Sequence, residues 1–102
     1  MGKKYDISKI PTSYRRDIEK AIRILLDEGC QEIYLFGSVV EGPVTPESDI
    51  DIAVKGIPSG SYFEIFARLM MQLDHPVDLI HLEKENRFGN MLQKEGYLHR
   101  VA

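Results

Sequence analysis

The chain holds one cysteine, Cys30, among 102 residues. That excludes an intrachain disulfide, and it suits a cytosolic compartment, where thiols stay reduced. Cys30 follows Gly29 at a helix-to-strand junction and reads as a small buried hydrophobe. No apolar run approaches the roughly 18 residues of a membrane span, and residues 1–10, MGKKYDISKI, carry no signal-peptide core. Met1-Gly2 begins like an acylation motif, but Asp6 stands where Ser or Thr is needed, so nothing points to a membrane. There is no excess of basic charge either. Thirteen Lys and Arg against sixteen Asp and Glu leave a net charge of −3, so no global field recruits nucleic acid. A local nucleotide site stays open, because a bound cation can offset phosphate charge. Repeats, low-complexity tracts and linkers are absent, and the expectation is one domain over 1–102.

What is present is a 43% hydrophobic chain with alternating periodicities, enough for one modest core. Tyr14, Ile18, Ala21, Ile22, Leu25 and Leu26 recur at three- and four-residue steps, predicting a helix from a Thr12 or Ser13 cap to about Glu28. Gly29 suits a left-handed end to it. Residues 32–36, EIYLF, predict a strand that stops at Gly37. Asp49 to Val54 predicts a second, after a connection long for a hairpin and therefore a candidate for function. Ser61 with Glu64 has capping-box spacing and opens a helix to about Leu73. Residues 77–82, VDLIHL, predict a third short strand, and Glu85 to Lys94 a final helix before a short tail. The class is α/β (α+β): a small mixed sheet of three or more strands with helices packed on it.

Within this frame two acids are out of place. Asp49 and Asp51 share one face of the second strand, about 6.6 Å apart along it. Carboxylates about 4 Å apart repel by about 4 kcal/mol at an effective dielectric of 20, so a cation between them would relieve a real cost. Hard oxygen donors favour Mg²⁺ or Mn²⁺. The plainer alternative makes Asp49 a loop-end residue and Asp51 a solvated edge acid. Gly37-Ser38 has two readings as well. It is a helix cap after a tight turn, or a turn whose bare Cα, N–H groups and hydroxyl receive phosphate. Asp78 is either strand-end turn chemistry or a third acid facing the same cluster from a neighbouring strand. Three such acids could hold one or two divalent ions, a pair being of the kind that clamps attacking and leaving oxygens in phosphoryl transfer. His81 falls on the face opposite Asp78 and reads as structural; His75 and His99 have no evident partner.

The stretches LFGS (35–38), SDIDIAV (48–54) and VDLI (77–80), with the leading helix and EGYLHR near the end, resemble the DNA polymerase beta-like nucleotidyltransferase superfamily. The resemblance is closest to its minimal nucleotidyltransferases. It implies the polymerase beta-like core and a triphosphate-binding turn at Gly37 and Ser38. It also makes Asp49 and Asp51 paired metal ligands, and Asp78 a third acid that completes the catalytic site. The implied chemistry is Mg²⁺- or Mn²⁺-dependent transfer of a nucleoside monophosphate, AMP from ATP, to an acceptor hydroxyl, with two ions. Such minimal proteins pair with helical HEPN-domain toxins, so the implied role is a cytoplasmic antitoxin that modifies its toxin, in a homo- or hetero-oligomer and without direct contact to nucleic acid. Two alternatives stand beside it: a non-catalytic module that neutralises the partner by contact, and a subunit acting on a small molecule of aminoglycoside type. One departure bears on the choice. Relatives often read G-S-R-A-x-G, whereas residues 37–42 read GSVVEG and lack the arginine.

Overall fold

The structure is a computed structural model that describes residues 4–82 and 87–102. A 3₁₀ turn at Ile7–Lys9 leads into α1, Thr12–Asp27. There follow β1 (Glu32–Phe36), a short α2 (Ser38–Glu41), β2 (Ile50–Lys55), α3 (Tyr62–Gln72), β3 (Val77–His81), α4 (Arg87–Lys94) and β4 (His99–Arg100). The strands form one mixed sheet in the order β3-β2-β1-β4. β1 runs antiparallel to both β2 and β4, while β2 and β3 are parallel and joined through α3. The small mixed sheet with packed helices is the architecture expected.

Strand alternation sorts the core into two faces. Ile50, Ile52 and Val54 of β2 point toward α1 and α3, where they pack with Ile18, Leu25, Ile65 and Leu69, all essentially inaccessible. The opposite face carries Phe36, Ala53 and Leu82, covered by Leu92 of α4. Cys30 is buried, and burial pushes its thiol pKa up, so it behaves as a core residue.

Several local expectations change. α1 begins after Pro11, which makes no side-chain cap; Thr12 Oγ1 instead receives a bond from Arg15 (3.2 Å). Leu26 of the predicted apolar face is half exposed, and Ile24 takes the buried position. The capping box at Ser61 and Glu64 is not formed, because Ser61 has helical-region backbone angles and no cap bond. The start expected for the last helix at Glu85 lies outside the described residues. The tail adds β4, paired on β1 through Tyr34↔Arg100 and Leu35↔His99. At the end of α1, Gly29 takes φ +94° as expected, and the amides of Gly29 and Cys30 close on Leu26 and Leu25 carbonyls.

Candidate active site

The crossover from β2 through α3 to β3 sets the register of the acids. Because the two strands are parallel and Ile50 pairs with Val77, Asp51 falls directly beside Asp78. Both occupy the second position of their strands, on the face that α4 covers less completely. Asp51 is half-buried and Asp78 exposed. Burial, then the Asp78 carboxyl beside it, then Asp49, push the Asp51 carboxyl up to about 6.

β1 brings the turn to the same place. Phe36 pairs with Asp51 across the antiparallel ladder, so the next residue, Gly37, passes over the acid. Gly37 has φ +73°, and a Cβ on it would overlap Asp51 Oδ2 and lie 3.1 Å from Cγ. Glycine is therefore required twice, by conformation and by contact. Ser38 opens α2 immediately after, half-buried.

Asp49 stands one residue ahead of β2 and is exposed. Of the three acids singled out by sequence, Asp51 and Asp78 are brought side by side, and Asp49 is at the rim, near enough to act on Asp51 electrostatically. Among the described residues no group of three or more His, Cys, Asp or Glu is assembled as a metal cage. A magnesium ion does not need one. It is ordinarily held by one or two carboxylates together with waters and substrate phosphates. The Asp51–Asp78 pair, hard oxygen donors in an uncompensated like-charge contact, fits that pattern.

The acids line a cavity of about 300 Å³ whose described walls are Phe36, Tyr62, Phe66, Leu79, Ile80 and Phe88. Sequence reasoning did not assign these walls. Tyr62 and Phe66 recur four residues apart on α3, with stacked rings (centroids 6.2 Å apart), and that spacing was the available signal. Tyr62 Oη donates to the Leu79 carbonyl, and burial followed by the Asp78 charge raises its pKa. No cation is among the described lining residues. Arg68 is engaged by Glu28 (2.8 Å) and Asp27 (3.1 Å) across α1 and α3. Lys55 lies at the other end of β2, opposite Glu32. Arg15 bonds Ser8 and Thr12.

Two histidines gain partners that the sequence did not disclose. His99 of β4 lies 2.8 Å from Glu41 at the end of α2 and edge-on to Tyr5. His75, ahead of β3, lies 2.7 Å from the buried carboxylate of Asp17. Asp17 is three residues from Tyr14 and four from Ala21, inside the buried face of α1. An acid at that phase was the signal for a buried partner.

The polymerase beta nucleotidyltransferase family model matches residues 19–98. The chain belongs to this family. No curated protein matches it. Among solved structures, a toxin–antitoxin complex with AMP-PNP is 31% identical, with TM-score 0.67, and the match covers 82% of this chain and 71% of that one. A complex of tri-AMPylated Shewanella oneidensis HEPN toxin with its MNT antitoxin is 28% identical, with TM-score 0.61, covering 86% and 71%. A minimal nucleotidyltransferase, 20% identical with TM-score 0.62 and matched over 99% of both chains, shares the fold. The minimal nucleotidyltransferase resemblance seen in the sequence holds at the level of family and fold.

Proposed function

We propose that the protein is a nucleotidyltransferase that moves AMP from ATP to a hydroxyl on a HEPN-type toxin and thereby acts as its antitoxin. The observation that carries this reading is the convergence of three segments. Gly37, Asp51 and Asp78 come from β1, β2 and β3 and meet at one point, at the mouth of a cavity walled by aromatic rings. The AMPylated toxin in the Shewanella complex names the acceptor class.

In this reading Gly37 and Ser38 receive the triphosphate. The bare Cα lets the phosphates approach the acids, and the Ser38 hydroxyl donates to a phosphoryl oxygen. Asp51 and Asp78, with Asp49 at the rim, hold magnesium or manganese. Two such ions, when bound, neutralise charge on the transferring and leaving phosphates. Asp78, the more exposed of the paired acids, orients the incoming hydroxyl and accepts its proton. Phe36, Tyr62, Phe66 and Phe88 narrow the cavity and exclude water, which would otherwise compete as acceptor. Most of the rate comes from positioning and electrostatics, since the chain itself forms no covalent bond to the substrate.

The test incubates the protein with labelled ATP, Mg²⁺ and the product of the adjacent gene. Label should appear on the partner with the wild type and be lost with Asp49→Asn/Asp51→Asn. A second reading is favoured by residues 39–41, where apolar Val39 and Val40 precede a Glu41 already engaged by His99, leaving no guanidinium for the phosphates. On that reading the protein silences its partner by contact. Neutralisation undiminished in the double variant would establish it and overturn the enzymatic role.

A further inference from the structure

Asp49 sits at the rim of the site on a stretch held from both sides. Tyr14 Oη donates to the carbonyl oxygens of Ser48 (2.7 Å) and Thr45 (3.0 Å). On the other flank the Ile50 amide donates to the Pro76 carbonyl (2.9 Å). Within the turn, the buried Ser48 hydroxyl accepts from the Thr45 amide at 2.9 Å. The residue between the two clamped positions is Asp49.

Tyr14 is in turn fixed from behind. Its ring stacks on His75 with centroids 3.7 Å apart. His75 is set by Asp17, a residue 2% exposed whose carboxylate accepts from the amides of Asp74 (3.1 Å) and His75 (2.8 Å) as well as meeting His75 Nδ1 at 2.7 Å. A carboxylate in the middle of a buried helix face costs free energy that an apolar residue of similar size would not. What it supplies is a fixed 74–76 turn, which reaches the Asp49 stretch directly through the Pro76 carbonyl on the Ile50 amide and indirectly through the His75 ring stacked on Tyr14.

We propose that Tyr14, held by the Asp17–His75 pair, is a positioning residue that aims the Asp49 carboxylate at the cation beside Asp51 and Asp78. The inference rests on the nucleotidyltransferase reading above and adds to it a cause, 35 residues away in sequence (49 − 14), for the orientation of an exposed acid. Tyr14, itself buried, acts through the backbone of Ser48.

Tyr14→Phe isolates the claim, since it keeps the ring, the stack and the buried surface and deletes only the hydroxyl. Amide exchange across residues 45–50 should accelerate, with exchange in α3 unchanged. Binding of Mn²⁺ with a non-hydrolysable ATP analogue should weaken about tenfold, the size expected for one lost hydrogen bond, and kcat should fall while KM for the acceptor protein holds. His75→Gln, which removes the stacked ring and keeps the hydroxyl, should change both readouts in the same direction. Arg15→Ala, on the same helix but bonded to Ser8 and Thr12, should leave both unchanged. Native exchange and native Mn²⁺ affinity in Tyr14→Phe, in a protein whose wild type binds and transfers normally, overturn the positioning role alone. A wild type that neither binds Mn²⁺ with nucleotide nor transfers AMP overturns the function itself, and the aim assigned to Tyr14 with it.

Discussion

Gly37 and Asp51 are in mutual contact across the β1–β2 ladder: the glycine Cα lies against the aspartate carboxylate with no room for a methyl group between them. Gly37→Ala must therefore place a side chain at φ +73°, ψ −159°, a region essentially reserved for glycine that costs about 1–3 kcal/mol, and also displace the acid. The displacement matters more for activity. A misplacement of about 1 Å at a reacting centre can cost about 100-fold in rate. Nucleotidyl transfer by Gly37→Ala should fall at least that far while the melting temperature drops only modestly, and a paired rate assay and thermal melt measure both.

The proximity of Asp51 to Asp78 gives a pH dependence of definite sign. Folding raises the Asp51 pKa from 3.8 to about 6. Between those values the folded chain binds more proton than the unfolded one, so stability decreases as pH rises through this window and levels off above it. The contribution of Asp51 to the melting temperature of the metal-free protein should thus be larger near pH 4.5 than near pH 7. Asp51→Asn should flatten that component and stabilise the metal-free protein at pH 7. Adding Mg²⁺ should stabilise the wild type more than the variant, narrowing and then reversing the difference between them. Melts with chelator and with Mg²⁺ across pH 4.5–7.5 test it, the wild-type-minus-variant curve cancelling other carboxylates such as Glu32, which shifts the opposite way.

Sequence disclosed the elements whose physics is periodic. The α1 face, the three strands and the opposition of Ile50 and Ile52 to Asp51 follow from spacing alone, and the Gly37 turn from composition. β4 was not legible because two residues carry no period, and their strand character comes from pairing with Tyr34 and Leu35. The register of Asp51 beside Asp78 depends on how α3 returns the chain, which is a tertiary fact. The Asp17–His75 contact joins residues 58 apart in sequence, so His75 looked solitary. The caps at Thr12 and Ser61 failed for a related reason. Pro11 takes the cap position of α1, and the Ser61 amide closes the 58–61 turn on the Pro58 carbonyl, which holds Ser61 at angles from which its side chain makes no cap.

Burial separates two residues that both bridge or support α1. Ile18 is fully inaccessible at the centre of the larger core. Ile18→Ala should cost about 2–5 kcal/mol through lost transfer energy and a cavity. Arg68, partly exposed, ties α3 to Asp27 and Glu28 at the surface. Arg68→Ala should cost far less than Ile18→Ala, and less still in high salt. Urea denaturation at low and high ionic strength distinguishes the two: a salt-independent loss for Ile18→Ala, a small salt-sensitive one for Arg68→Ala.

The missing arginine after the serine turn cannot be restored by simple replacement. Relatives that read G-S-R-A-x-G would place the guanidinium at position 39, but Val39 here is 2% exposed and packed in the larger core. A guanidinium there would be buried without a partner, since Glu41, the acid two residues on, is exposed and committed to His99. Val39→Arg should therefore destabilise, lowering the melting temperature by about 4–8 °C for each kcal/mol lost in a domain of this size, and should not improve transfer. Val40 is half-buried at the edge of the same short helix, where a long side chain can run its stem along apolar surface and keep its charge in water. Val40→Arg should be tolerated within about 1 kcal/mol and should lower KM for ATP if the turn binds the triphosphate. Melting temperature and KM measured on both variants check the argument. A gain in transfer from Val39→Arg with native stability would mean the α2 turn opens on nucleotide binding and turns position 39 toward the phosphates.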